Sequence, residues 1–402
     1  MRSFVGTLLA AAGAVASTGC CGISNRAGGS VTDVNVLDYG AVADGKTDST
    51  AAFQKAVDAV AGTGGRVYVP SGRYIIGEIR MREAVTVQGV AGYGFRGAQK
   101  GTVLMMRRDT TSRCMFDFTG STGAAVRDLA MLGDADRSLQ AGQGTAEGTI
   151  DGARKVHGVA LIKPDFGDHE DYPLVDHCLI RGFSGDGLHL VRAWCGNVRN
   201  CLVMLNGGSG IRLRGWDVFI INNEIAGNEE YGFDVTGVNA SNTITANRIE
   251  WNRLGGMRIH QGRHYCINAN YFDRSGTAGL QMTDSENITF TGNQFWRSGR
   301  PQWERKAEPY SAHAILRNCR GVTFSSNNMN AGRDDDRKGL YSPRTGLVLE
   351  KLTDCTVIGN TAHRAYLETF IDDRGGHVNT SIRDNVGSPM GEPIVLDVGV
   401  EE

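Results

Sequence analysis

From about residue 158 onward the chain is filled with short runs in which apolar and polar residues alternate: GLHLV, GIRLR, GFDVT, GMRIH, GLQMT, AILR and GLVLE. A period of two places alternate side chains on opposite faces of a strand. Between these runs come VFIINNEI, TITANRIE, CINANYFD, ITFTGNQF, VTFSSNNM and TVIGNTAH, short β-type segments flanking a polar turn. An asparagine marks each unit, at Asn200, Asn223, Asn247, Asn270, Asn293, Asn327, Asn360 and Asn385, with intervals of 23, 24, 23, 23, 34, 33 and 25 residues. A repeat of this length signals a solenoid, here with two insertions. Each unit predicts one coil of three short strands and three turns, stacked on the next at about 4.8 Å. The expected fold is all-β, a single-stranded right-handed parallel β-helix.

Stacked side-chain amides can satisfy the backbone groups that a tight turn leaves open, so the asparagines are expected to form an internal ladder without chemistry. Two residues on, Leu202, Ile225, Ile249, Phe272, Phe295 and Met329 are expected to fill one interior column. Cys178 and Cys201 fall one residue after the ladder position on adjacent coils, a spacing that admits either a disulfide or two unpaired thiols.

Composition adds little to this picture. The 55 Gly against 8 Pro suit frequent turns, and a net charge of -2 without a basic block gives no argument for nucleic acid. Residues 1–29 differ in kind: Arg2 precedes FVGTLLAAAGAVAS, a secretory signal with a small-residue cleavage site at Ala14-Val15-Ala16. Ser17-Thr18-Gly19-Cys20 resembles a lipoprotein processing box, which makes Cys20 a candidate for lipidation. The protein is therefore expected to be exported, secreted or periplasmic, touching a membrane only through such an anchor. Cysteines beyond Cys21 show no CxxC pairs, which argues against zinc. Nothing in the sequence sets an oligomeric state.

The body of the chain, 30–402, reads as one β-helix domain, with a cap and first strands over 30–76 and regular coils over 158–390. Asp48 or Ser49 is expected to cap a helix running to about Ala61, with Phe53, Val57 and Val60 on one face plugging the solenoid's open end. Asp44 is expected in turn formation. The segment VLDYGAVADGKTDSTAAFQKAVDAVAGTGGRVYVPSGRYII resembles the opening of the pectate-lyase-like proteins, including rhamnogalacturonase and epimerase-like β-helices. The matching residues are Asp38 to Ala41, Asp44-Gly45, Thr47-Asp48, Ala52-Phe53-Gln54, Gly64-Gly65, Val67, Val69-Pro70, Gly72 and Tyr74. That resemblance implies work on carbohydrate by hydrolysis, by β-elimination of uronates, or by transfer and epimerisation. It carries over no catalytic residue, because the NTD, GDD, GHG and RIK motifs of polygalacturonases and the RxPxxR segment of pectate lyases are missing; Arg258-Ile259-His260 echoes RIK only in part.

Site candidates therefore come from geometry. The insertions WRSGRPQWERKAEPYS and NAGRDDDRKGLYSPR are expected to wall a binding face. On that face one outward column reads His189, Arg212, Asp234, Arg258, Gln281, and a second reads Val191, Arg214, Thr236, His260, Thr283, Arg317. Such a cationic groove suits a hydroxyl-rich, carboxylate-bearing polymer. Glu250 and Asp273 share a column at the rim, with Glu229 and Glu230 nearby, and two close carboxylates raise the pKa of one. Trp251, Trp296 and Trp303 are candidate sugar platforms. No cofactor is expected, although the Asp334-Asp335-Asp336 run could hold calcium.

Three functions fit. The first is a glycoside hydrolase acting on a pectin-like or other acidic glycan, with Asp234, Glu250 and Asp273 as acid and base or nucleophile, while His189, Arg212, Arg214, Arg258, His260 and Gln281 bind sugar. The second is a polysaccharide lyase with His260 as base. The third is a non-catalytic surface carbohydrate-binding solenoid.

Overall fold

The computed structural model describes residues 32–94, 97–98, 100–108, 111–135, 155–299, 311–330, 343–363 and 367–387. Three long sheets run along the described chain. The first has thirteen strands, from Asp33–Asn35 to Ser381–Arg383; the second thirteen, from Asp44–Asp48 to Val386–Gly387; the third eleven, from Ile79–Arg80 to Thr369–Asp373. The chain visits first, second and third sheet in turn, and each strand pairs in parallel with its counterpart one coil away. Coils are already present at Gly65–Tyr68, well ahead of residue 158, where the asparagine repeat is not yet legible.

Alternation builds the interior. In the second sheet Val203, Ile225, Ile249, Phe272, Phe295 and Met329 pair in order and are buried, and Phe272 stacks on Phe295 with ring centroids 4.8 Å apart. Leu202 does not belong to this column: it pairs with Glu224 and faces outward, and Val203 takes the expected place.

The same one-residue displacement moves Asn200 off the ladder. The corner between first and second sheets turns on a single left-handed residue, Asn200, Asn222, Ala246, Ala269, Gly292 or Ser326 in successive coils. That conformation costs about 1–2 kcal/mol for an L-residue. The residue after it offsets the cost with its amide: Asn247 Oδ1 accepts both the Asn223 backbone N–H and Asn223 Nδ2 at 3.0 Å. The ladder runs Asn223, Asn247, Asn270, Asn293, Asn327, Asn360, Asn385. Cys201 precedes it, with its N–H bonded to Asn223 Oδ1, so Cys178 and Cys201 hold the ladder position itself. Both are free thiols whose Sγ–H groups reach backbone carbonyls, and no disulfide joins them.

A second ladder, Asn206–Asn228–Asn252, lines the corner between second and third sheets. It escaped the sequence reading. Its signal is the glycine opening each third-sheet strand, since a Cβ on Gly232 would sit 2.5 Å from Asn252 Nδ2.

The helix Thr50–Ala59 buries Phe53, Ala56 and Val57 in the same core as the strands and packs on the first coils. It ends two residues before the expected Ala61. Asp48 Oδ1 accepts the Thr50 N–H, whereas the Ser49 hydroxyl bonds Val42 instead of capping. Asp44 accepts from Lys46 and Thr47 N–H, the turn role expected of it. The signal segment with Cys20, and Trp303 and Asp334 to Asp336 in the insertions, lie outside the described residues.

Candidate functional site

The third sheet carries the expected columns. His189 pairs with Arg212, Arg212 with Asp234, Asp234 with Arg258, and Arg258 with Gln281. Beside them Thr236 pairs with His260, His260 with Thr283, and Thr283 with Arg317. All stand on the outer face, because Ile211, Phe233, Met257 and Leu280 take the alternate, inward positions.

The first column is internally neutralised. Arg212 contacts Asp186, Asp234 and Glu230, and Arg258 grips Asp234 through two bonds of 2.8 Å while lying over the Tyr231 ring at 4.3 Å. Lys155 completes the set by pairing with Glu230 at 3.1 Å. Three carboxylates thus face three cations. Asp234, expected to be catalytic, points outward between its two arginines but is 0% exposed. A carboxylate locked by two guanidinium groups is poorly placed to give or take a proton from a sugar.

At one end of this network sits Asp186, which the sequence reading missed because it lies in the turn before a strand, where period-two alternation says nothing. Its Oδ1 accepts the Ser209 N–H at 2.7 Å, and its Oδ2 bonds His189 Nδ1 at 2.6 Å and Arg212 Nε at 3.0 Å. Burial alone would raise its pKa; the His189 hydrogen bond and the Arg212 charge outweigh that and hold it well below the usual carboxylate range. His157 stacks on His189 at 4.4 Å, and burial pulls its pKa down to about 4 despite Asp186. His157, Asp186 and His189 lie close enough to consider a metal. Their donors are already committed: His157 Nδ1 accepts the Asp186 N–H, and the Asp186 oxygens serve Ser209, His189 and Arg212. An adjacent guanidinium further opposes a divalent cation.

The accessible chemistry lies in the second column. Thr236, Arg258, His260, Gln281, Thr283, Ile315 and Arg317 line a cleft of about 190 Å³. His260 Nδ1 is 2.9 Å from Thr283 Oγ1 and 3.3 Å from Asp284 Oδ2. A proton on Nδ1 satisfies both contacts and leaves the Nε2 lone pair for a ligand. Arg317 Nε bonds Glu350 at 2.9 Å.

Glu250 and Asp273 do pair across adjacent coils, continuing to Trp296. They lie at the second-to-third-sheet corner, outside the cleft lining, and are 4% and 1% exposed. Arg274 and Arg297 contact Asp273, Arg248 contacts Glu250, and Arg274 lies over the Trp251 ring at 4.4 Å. Burial outweighs pairing on both sides here: Asp273 is pushed up to about 6 and Arg297 pulled down to about 10. Burial raises Glu250 too. Burial thus raises both carboxylates together instead of setting an acid beside a base, and neither lines the cleft. Trp296 is likewise buried, so it offers no open face for a sugar. The insertions leave the chain at the same corner, after Gly299 and after Asn330.

A family model described as "Right handed beta helix region" matches residues 167–295 and 196–388, together more than half of the chain. The chain belongs to the right-handed β-helix family. A second model, "Rhamnogalacturonase A/epimerase, pectate lyase-like", matches residues 33–112. Mannuronan C5-epimerase AlgE5 of Azotobacter vinelandii is 25% identical over 271 residues, which are 64% of this chain and 26% of that protein. Alginate lyase 7 of the same organism is 33% identical over 130 residues, 30% of this chain and 14% of that one. The chain thus spans about a quarter or less of these relatives' lengths. Among solved structures, the catalytic unit of a GH87 alpha-1,3-glucanase from Streptomyces thermodiastaticus superposes with a TM-score of 0.55 at 18% identity, covering 91% of this chain and 71% of that one. At that identity the likeness concerns the fold.

Proposed function

We propose that this β-helix acts on an acidic, uronate-containing polysaccharide and removes the proton on the carbon next to the uronate carboxylate, with His260 as base. The observation that carries this reading is the cleft in which His260 stands with Arg258 and Arg317, its Nδ1 engaged by Thr283 and Asp284. Imidazole suits proton abstraction near neutral pH. As the C5–H bond breaks, its electron pair spreads into the carboxylate, and nearby guanidinium groups stabilise that charge. The proton goes to His260 Nε2. Expulsion of the 4-O-glycosyl oxygen, which takes a proton from water as it leaves, then gives an unsaturated sugar; delivery of a proton from water to the opposite face of C5 gives an epimer instead. Relatives named as a mannuronan epimerase and an alginate lyase point to polymers of this kind. Hydrolysis by Asp234 with Glu250 or Asp273 has less support, since all three are buried and paired with arginines. Export through residues 1–29, with Cys20 as an attachment point, belongs to the same proposal, because such polymers are met at or beyond the cell envelope.

The test is a panel of polyuronates and neutral glucans incubated in deuterated water. Ultraviolet-absorbing unsaturated ends, or deuterium at C5 of uncut polyuronate, are expected. New reducing ends with neither signal would show hydrolysis and overturn the assignment.

A further inference from the structure

On the groove face one cation stands apart. Arg212 and Arg258 are tied to carboxylates of the first column, and Arg317 is bonded to Glu350. Arg214 is exposed and makes no ion pair or hydrogen bond with any described residue. It follows Leu213, which pairs with Val235, so it rises beside Thr236 in the second column. The neighbouring strand bulges just past that point, at a glycine with φ +92°. A Cβ on Gly237 would lie 3.6 Å from Arg214 Nε, so the arginine side chain runs over the bulge within ordinary contact distance.

Register fixes where Arg214 stands relative to His260. One coil, that of Thr236, separates them on one side, and one coil, that of Thr283, separates His260 from Arg317 on the other. Each arginine is thus two coils from the base, about 9.5 Å along the solenoid axis. In a 1,4-linked polyuronate ribbon with a two-fold screw, successive rings flip, and carboxylates on one edge recur once per disaccharide. A three-fold chain brings the same edge round only at every third sugar.

We infer that Arg214 is a carboxylate-reading specificity residue two coils from His260, and that this spacing selects an extended two-fold polyuronate lying along the solenoid axis. This rests on the groove being a polyuronate site. A guanidinium fork without a carboxylate of its own, in a row whose other arginines have one, is suited to take that carboxylate from the ligand.

Calorimetric Kd values for β-1,4-linked mannuronate oligomers, from disaccharide to octasaccharide, test it on the wild type and on Arg214→Ala, with α-1,4-linked galacturonate oligomers in parallel. Wild-type affinity should step up once a trisaccharide spans His260 and Arg214. Arg214→Ala should weaken trisaccharide and longer chains about tenfold, ~1.4 kcal/mol, and leave the disaccharide within about twofold. An unchanged melting temperature excludes misfolding of the variant. Equal loss at every length, no loss at any length, equal binding of galacturonate chains, or no binding of either series overturns the inference. Binding is read without turnover: if length dependence is absent while unsaturated or deuterated products form, this inference fails and the proposed function stands. If the step is present and no chemistry occurs, the reverse holds.

Discussion

At the scale of single residues, burial decides which charged groups are free to work. Asp273 shows its effect most clearly, because desolvation pushes its pKa to about 6, with Arg297 and Arg274 opposing and Glu250 adding to the rise. A group whose folded pKa lies above its unfolded value stabilises the fold below the unfolded value and loses that contribution as pH rises through the folded one. For Asp273 the loss falls between about pH 4 and about pH 6, on the order of 2–3 kcal/mol. Asp273→Asn carries no such ionisation. Its melting temperature relative to wild type is therefore expected to rise as pH goes from about 4 to about 7; thermal scans giving a constant difference across that range would refute the buried, strained carboxylate. His260, half-buried at the cleft and held through Nδ1, is by contrast a group that a ligand can reach.

At the scale of the coil, a single turn geometry is repeated and each copy needs its own polar partner. Asn247 shows what the ladder contributes: its Oδ1 serves two groups of Asn223, and its Nδ2 donates to the Ile220 carbonyl at 2.9 Å. Asn247→Ala leaves these buried groups unsatisfied and is expected to destabilise the fold by roughly 2–5 kcal/mol. Asn200→Ala, at an exposed left-handed corner where the side chain bonds Asp176 and Asn222, is expected to cost no more than about 1 kcal/mol. Urea unfolding of both variants decides it, and equal losses would put Asn200 back on the ladder. The repeat was legible because one amide recurs at nearly fixed spacing, and the facing of third-sheet residues because alternation is strict there. The displacement at Asn200 was not, since two consecutive asparagines of one corner, Asn222 and Asn223, read alike although one is the turn and the other the rung. Asp186 and Glu230 were illegible as partners of Arg212 for a related reason: turns have no period, and their side chains reach the groove from outside the strands.

At the scale of the molecule, stacking in register converts a linear repeat into a ruled surface, so that Arg212, Asp234 and Arg258, each more than twenty residues from the next, become vertical neighbours. One column neutralises itself and stiffens the wall. The other holds His260 in the cleft, with Arg214 exposed two coils away. Proton transfer next to a uronate carboxylate is the work proposed for this column. Its most direct measurement is C5 deuterium incorporation or unsaturated product on a polyuronate in deuterated water, compared between wild type and His260→Ala. The account predicts a clear signal from wild type and at least a hundredfold lower rate from the variant, about 2.7 kcal/mol in the barrier. Equal rates from the two proteins would contradict it.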